Sequence, residues 1–289
     1  MLNKLVLSLI GTRTTWRLGR AFYMAARGDV ANNMGTNGER MVQRCVVEAW
    51  RKRHDPAERL VVFDVGANVG DWSTALLDQA AESNAKSALD LFLFEPIPDT
   101  LRVLRVKLSG ESVANVRMES IALSALDGSS EMYSPGPNAG TSSLHYDSSF
   151  GEVQAISVQT ASLSSYCASN SIERIRLLKC DTEGHDMGVI RGALPMLQGG
   201  RIDVLQFEYN HRWIFARSYL KDVFDTVVGL PYVVGKIQPD HVKVLDRWHP
   251  ELEHFFEGNY LLIHQRAVPW FDARKATFDP YNTLTTERS

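Results

Sequence analysis

From Leu60 onward, short apolar runs alternate with longer stretches of helical period. The runs are Leu60–Val65, Leu89–Phe94, Asn115–Glu119, Gln154–Gln159, Ile175–Cys180, Ile202–Phe207, Tyr232–Val234 and Tyr260–Ile263. Glycine, proline, asparagine or charged residues bound them, as expected of strands buried on both faces of a parallel sheet. The segments Trp72–Ala81, Thr100–Leu108, Ser162–Ala168, Met187–Leu197 and Ile214–Val228 read as helices. This alternation predicts an α/β domain, a doubly wound Rossmann-like sheet, over residues 56–289. Residues 1–55 read instead as an N-terminal helical arm, with Gly28-Asp29, Asn32-Asn33 and Gly35-Thr36-Asn37-Gly38 forming a turn between two helices. Residues 127–151 break the rhythm with Gly, Ser and Pro, which suits an active-site flap or substrate loop better than core.

Composition narrows the function. In 289 residues, 44% are hydrophobic and 22% charged, the proportions of a globular protein able to bury a sizeable core. A net charge of −3 gives no basic footprint for nucleic acid, so none is expected as a partner. Cys45, Cys167 and Cys180 are odd in number and widely spaced, which suits neither disulfides nor zinc and points to a reducing, cytoplasmic setting. The run Met1–Ile10 is too short to span a bilayer and lacks a convincing cleavage site; Arg13, Arg17 and Arg20 follow it. No transmembrane segment is expected. A helix with Leu5, Leu9 and Ile10 on one face can pack on the domain, meet a partner chain in a homodimer, or rest weakly on a membrane surface.

The sharpest chemical signal is a strand, a glycine turn and a helix: Val61-Val62-Phe63-Asp64-Val65-Gly66-Ala67-Asn68-Val69-Gly70-Asp71-Trp72-Ser73. Gly66 and Gly70 let backbone approach a ligand at a helix N-terminus. The spacing is GxxxG rather than the GxGxxG of dinucleotide sites, and Asp64 before it would repel phosphate. That carboxylate suits the amino group of a methionine moiety instead. Ala67, Asn68 and Ser73 belong to the same candidate cofactor site. The second strand ends in Glu95-Pro96, placing an acid where it can accept from both ribose hydroxyls. Ser120, Ile121 and Ala122, after the third strand, are expected to flank an adenine ring. Any one of these features can be a turn glycine or a strand-end charge; in this order along the chain they point to cofactor binding.

DVGANVG, LFLFEP, IALS, GTSSL and LKCDTEGHD together resemble the FkbM-type methyltransferases, over roughly Val61 to Tyr209. Ala26-Arg27-Gly28-Asp29 and Asn37-Gly38-Glu39 in the arm are also similar to segments of bacterial members. The resemblance implies a class I methyltransferase fold, S-adenosylmethionine as cofactor, and O-methylation of a hydroxyl on a sugar, glycolipid, polysaccharide or natural product. Cys180 and Asp186 depart from the family pattern, which has an aliphatic residue and a glutamate there.

Methyl transfer to an alcohol needs alignment and removal of the hydroxyl proton. The adjacent strand ends carry Asp181, Glu183 and His185, and then Glu208 and His211. Two readings stay open. Asp181 and Glu208 can share a divalent cation such as Mg2+ with substrate oxygens, or His185 or His211 can act directly as base. Against both, Asp181 and Glu183 can simply cap the following helix. For the small-molecule or glycan acceptor, Thr141 and Ser142 are candidate hydrogen-bond donors, and Tyr209 and Trp213 a candidate stacking floor. A nicotinamide-dependent oxidoreductase lacks its glycine fingerprint here, and a noncatalytic nucleoside-binding module would be expected to lose Gly66, Gly70 or Glu95.

Overall fold

The strand β1 (Leu60–Val65) turns Leu60 and Val62 to one side of its sheet and Phe63 and Val65 to the other, the two-residue period of a strand, and all four are fully or almost fully buried. In this computed structural model, which describes residues 8–53, 58–110, 115–136, 140–147 and 151–286, that strand lies inside a ten-stranded sheet. Its neighbours are β2 (Leu89–Phe94) on one side and β7 (Ile175–Cys180) on the other, both parallel. Beyond β2 lies β3 (Asn115–Glu119), and beyond β7 lies β8 (Ile202–Tyr209), again parallel. The chain thus winds outward from β1 to β3 and crosses back to β7, leaving a switch point between β1 and β7 where ligands of open α/β sheets bind. This is a doubly wound, Rossmann-like α/β sheet.

Past β8 the sheet turns antiparallel through β11 (Gly258–His264), β9 (Tyr232–Ile237) and β10 (Val242–Leu245), and it ends in β12 (Ala273–Phe278) and β13 (Leu284–Thr286). A separate three-stranded sheet pairs β4 (Ile121–Ser124) with β6 (Gln154–Ser162) and β6 with β5 (Gly128–Ser134). Strand β5 therefore runs through what reads in sequence as loop. Of its residues only Met132 and Ser134 are buried, so it carries too little apolar signal to be seen.

Helices cover both faces. Gly70, at φ 83°, starts α3 (Asp71–Glu82), and Pro98 at the first position starts α4 (Pro98–Leu108). The Ser162 hydroxyl caps α5 (Leu163–Ser169) by accepting from the Ser165 N–H at 3.1 Å. The expected helix Met187–Leu197 is two, α6 (Asp186–Gly192) and α7 (Leu194–Gln198), broken before Pro195. The expected helix Ile214–Val228 is a single 3-10 turn at His211–Ile214 followed by α8 (Leu220–Thr226).

The N-terminal region holds α1 (Thr12–Arg27) and α2 (Glu39–Lys52). Val42, Val46, Val47 and Trp50 of α2 are buried with Leu60, Val62, Leu76 and Leu177, so α2 forms part of the core layer on that face. Helix α1 stays largely exposed. Leu5, Pro137, Asn138 and Ala139 lie outside the described residues, as does the expected junction at residues 55–56.

Candidate active site

At the switch point the chain must pass very close to itself. The Gly66 N–H and the Ala67 N–H both donate to the Phe94 carbonyl, at 3.0 and 3.1 Å, while the Asp181 N–H donates to the Val65 carbonyl at 3.0 Å. Gly66 has φ 77°, and a Cβ there would run into the Asp181 carbonyl. The glycine thus fixes how close the turn after β1 sits to the end of β7.

Around this turn opens a cleft of about 730 Å3. Val65, Gly66, Ala67, Asn68, Phe94, Glu95, Pro96, Ile121 and Ala122 line one part of it, and Lys179, Asp181, Glu183 and His185 another. Glu95 is buried, and its two carboxylate oxygens accept from the Asn68 N–H at 3.0 Å and the Ile97 N–H at 2.9 Å. Burial outweighs those two donors and pushes its carboxyl up to about 7. Ligand hydroxyls donating to the remaining lone pairs would favour the ionised form, so a diol held there would bind more weakly as pH falls through 7. A ligand held through this carboxylate is expected to bind about tenfold more weakly at about pH 6 than at about pH 8. Calorimetry across that range checks this, and Glu95→Gln should bind weakly with no such slope.

Several expected ligand residues turn out to hold the frame. Asp64 is fully buried; it accepts from the Ser73 hydroxyl at 2.6 Å and sits 3.6 Å from the Lys179 ammonium, opposite which it pairs in the sheet. Neither Asp64 nor Ser73 lines the cleft, and Asp64 forms an internal ion pair with Lys179. Gly70 sets the start of α3 and does not line the cleft either. Ser120 points to solvent in the turn between β3 and β4, leaving Ile121 and Ala122 as the apolar wall.

Lys179, missed in sequence because it sits inside an apolar strand, is the central cation. Burial works against its charge, but Asp181, Asp64 and Glu39 outweigh burial and hold it firmly protonated. Its ammonium lies 3.3 Å from Asp181 Oδ2. Asp181 is pushed up by burial and pulled down further by Lys179, which leaves it ionised and partly open to the cleft. Glu208 is buried and shifts the other way, because burial and the neighbouring Asp181 charge both oppose its ionisation. The two acids therefore titrate as a pair, Asp181 shifted down and Glu208 up.

Glu183 joins them: one carboxylate oxygen from each of Asp181, Glu183 and Glu208 falls within 4.8 Å of the others. Glu183 also pairs with Arg212, and Asn32 donates to Glu208 Oε1 at 3.2 Å. Asp186 accepts from the Glu208 N–H at 3.3 Å and from the Thr182 hydroxyl at 3.1 Å. The shorter acid found here thus ties the exit of β7 to the end of β8.

His185 lines the cleft, with Nδ1 2.9 Å from His145 Nε2 and Nε2 2.9 Å from the Ser124 hydroxyl. Burial, with His145 and Arg191 nearby, drives it down to about 3, so it is neutral with both nitrogens engaged. His211 is exposed and outside the cleft lining. Tyr209 and Trp213 are fully buried, which corrects the expected stacking floor. Tyr209 donates to Glu253 at 2.9 Å, and the Trp213 indole donates to the Glu208 carbonyl at 2.8 Å, so both brace β8 from behind. Of the flap pair, Ser142 lines the cleft and Thr141 does not.

The remaining wall comes from the segment between α1 and α2, through Asn32, Asn33, Met34 and Gly35, and from Glu39 and Arg40. Glu39 is buried and accepts from Asn37 and from Gln206, each at 2.7 Å. Only Asn37-Gly38-Glu39 among the sequence motifs pointed towards it.

The fold and this cleft define a Rossmann-like α/β domain with a ligand-sized cleft at its switch point. Residues 64–234, more than half of the chain, match the family described as the methyltransferase FkbM domain, and the chain belongs to that family. No curated protein matches it in sequence. Among solved structures, the methyltransferase FkbM of Methylobacillus flagellatus KT is 13% identical over 86% of this chain and 60% of its own, with a TM-score of 0.43. This chain thus spans less than two thirds of that protein's length. An rRNA methylase of Streptococcus thermophilus is 12% identical over 78% of this chain and 94% of its own, with a TM-score of 0.39. Precorrin-6y C5,15-methyltransferase of Geobacter metallireducens GS-15 is 12% identical over 77% and 86%, with a TM-score of 0.38. Among the described residues, no helix is long and apolar enough to cross a membrane.

Proposed function

We propose that this chain is an S-adenosylmethionine-dependent O-methyltransferase acting on a hydroxyl of a sugar, a glycolipid or polysaccharide, or a natural product. The observation that carries the reading is the ionised Asp181 carboxylate, open to the cleft beside the glycine turn and held by Lys179. The cofactor suits the residues present. Gly66 leaves a cradle that a Cβ would fill, Glu95 offers a braced carboxylate to a diol, and Ile121 and Ala122 offer an apolar wall. Trp72 lines the same cleft, and its buried indole N–H has no protein partner.

When bound, the cofactor supplies an electrophilic methyl group that carries its own leaving group. The chain's residues then have two tasks. Asp181 accepts the hydroxyl proton of the acceptor, and Lys179 keeps that carboxylate ionised until it does so. The cleft walls align oxygen and methyl, which supplies much of the acceleration in a displacement of this kind. His185 serves as a positioning group for the flap through His145. A second reading has Asp181, Glu183 and Glu208 holding a divalent cation such as Mg2+ that binds the acceptor hydroxyl, favoured by their three converging oxygens. Both readings place the acceptor at the same acids.

Incubation with methyl-labelled S-adenosylmethionine and a panel of sugars, sugar nucleotides and glycolipids is expected to give label in an alkali-stable methyl ether. Chelator should stop the reaction, and added magnesium restore it, only under the cation reading. Label confined to esters or to nitrogen would overturn O-methylation of a hydroxyl.

A further inference from the structure

The carboxamide of Asn32 has no bonding capacity left for a ligand. Its amide donates to Glu208 Oε1 at 3.2 Å and to Glu257 at 2.6 Å, and its carbonyl oxygen accepts from Asn37 at 3.0 Å and from Asn259 at 3.2 Å. Two hydrogens and two lone pairs are all that an asparagine side chain offers. Asn32 lines the cleft and is exposed, so water could make each of these bonds in place of the protein. What the protein gains from them is direction.

That direction is set from two sides. Asn259 lies opposite Glu208 in the register of β8 and β11, and Glu257 immediately precedes β11, so the strand that flanks Glu208 also holds the amide that meets it. On the other side, Asn37 donates both to Asn32 and, at 2.7 Å, to Glu39, which accepts from Gln206, the residue opposite Lys179 in the register of β7 and β8. The segment between α1 and α2 therefore spans from the neighbour of Lys179 to the Glu208 carboxyl. Asp181 and Glu257 also bond that carboxyl, but each is an acid and donates only when protonated. The Asn32 amide donates in every protonation state of the site.

We propose that Asn32 is a positioning residue for methyl transfer: by fixing Glu208 Oε1 it sets that carboxyl group against Asp181, where the acceptor hydroxyl has to be aligned. Asn32 has this role only if the acceptor meets Asp181, as proposed above. It has it equally whether Asp181 takes the proton or the acids hold a cation, because both need Glu208 in one orientation. The N-terminal region then belongs to the reaction site, although its asparagine gives nothing to the acceptor directly.

The test compares Asn32→Asp and Asn32→Ala with wild type, in the full chain, on an acceptor that wild type labels in the panel described above. Aspartate keeps the size of the side chain and the oxygen that Asn37 and Asn259 bond, and loses the donor. Both variants are expected to lower kcat by about 10- to 100-fold, with acceptor KM and S-adenosylhomocysteine affinity within about threefold of wild type. The unfolding temperature of Asn32→Ala should stay within about 2 °C of wild type, because the side chain is exposed. A purely structural role would give the reverse, a lower unfolding temperature in the alanine variant and wild-type turnover in the aspartate variant. That result would overturn the proposal, as would kcat within about threefold of wild type in both variants. So would a raised acceptor KM at unchanged kcat, since Asn32 would then bind the acceptor itself. If wild type labels no hydroxyl on the panel, the O-methyltransfer reading fails and this role fails with it; if wild type does and the variants match it, the role of Asn32 alone is lost.

Discussion

Asp181→Ala is expected to lower methyl transfer by about 10²- to 10⁴-fold, the range for loss of a positioned proton acceptor. Cofactor affinity should change far less. Lys179 keeps Asp64 as a partner in the variant, and Glu95 with its two backbone donors is untouched. The informative comparison sets turnover against S-adenosylhomocysteine affinity in the same preparation. Asp181→Asn, which preserves shape, should be nearly as inactive as Asp181→Ala. Turnover within about threefold of wild type in the alanine variant would remove Asp181 from the chemistry altogether, since an effect that small is below what general base catalysis supplies.

Gly66→Ala should act on binding and stability together. The backbone there has φ 77°, a region that costs an L-residue roughly 1–2 kcal/mol, and the added methyl meets the Asp181 carbonyl, which is anchored by the Val65 pairing and cannot swing aside. Unfolding temperature is expected to fall by about 2–8 °C, with no detectable cofactor binding. Gly70→Ala is the control. Its backbone is equally positive at φ 83°, but the nearest atom is a Leu104 methyl, which can shift, so binding should survive a similar loss of stability. Equal binding by both variants would mean that the close pass at Gly66 is unimportant to the cleft.

The parallel centre of the sheet was legible because buried strands leave unbroken apolar runs: β1, β2, β7 and β8 begin where those runs do. The switch point followed from their order, and so did Gly66, Glu95 and Asp181 as residues at its edge. What sequence left hidden are pairings across long separations. Asp64 reads as a ligand acid until the register sets it opposite Lys179, and then it is the other half of a buried ion pair. Tyr209 and Trp213 follow an acid at the strand end, just as a stacking platform would, but Tyr209 alternates to the buried face of β8 with Phe207 and Trp213 folds beneath it. Strand β5 escaped notice because one face of its small sheet is wet and its residues are mainly polar. His211 and Ser120 sit one or two residues past the strand ends, where a single change of direction sends a side chain to solvent.

The wall formed by Asn32 has a consequence for how the molecule comes into being. Asn32 and Glu208 are 176 positions apart, and Asn32 also meets Glu257 and Asn259, 225 and 227 positions away. On a ribosome the first side of the cleft emerges early and must wait while almost the whole domain is made. Closing so long a loop is slow compared with pairing neighbouring elements. Until it closes, the acids at the end of β8 lack the amide that faces them, so the cleft is among the last parts of the protein to acquire its native shape.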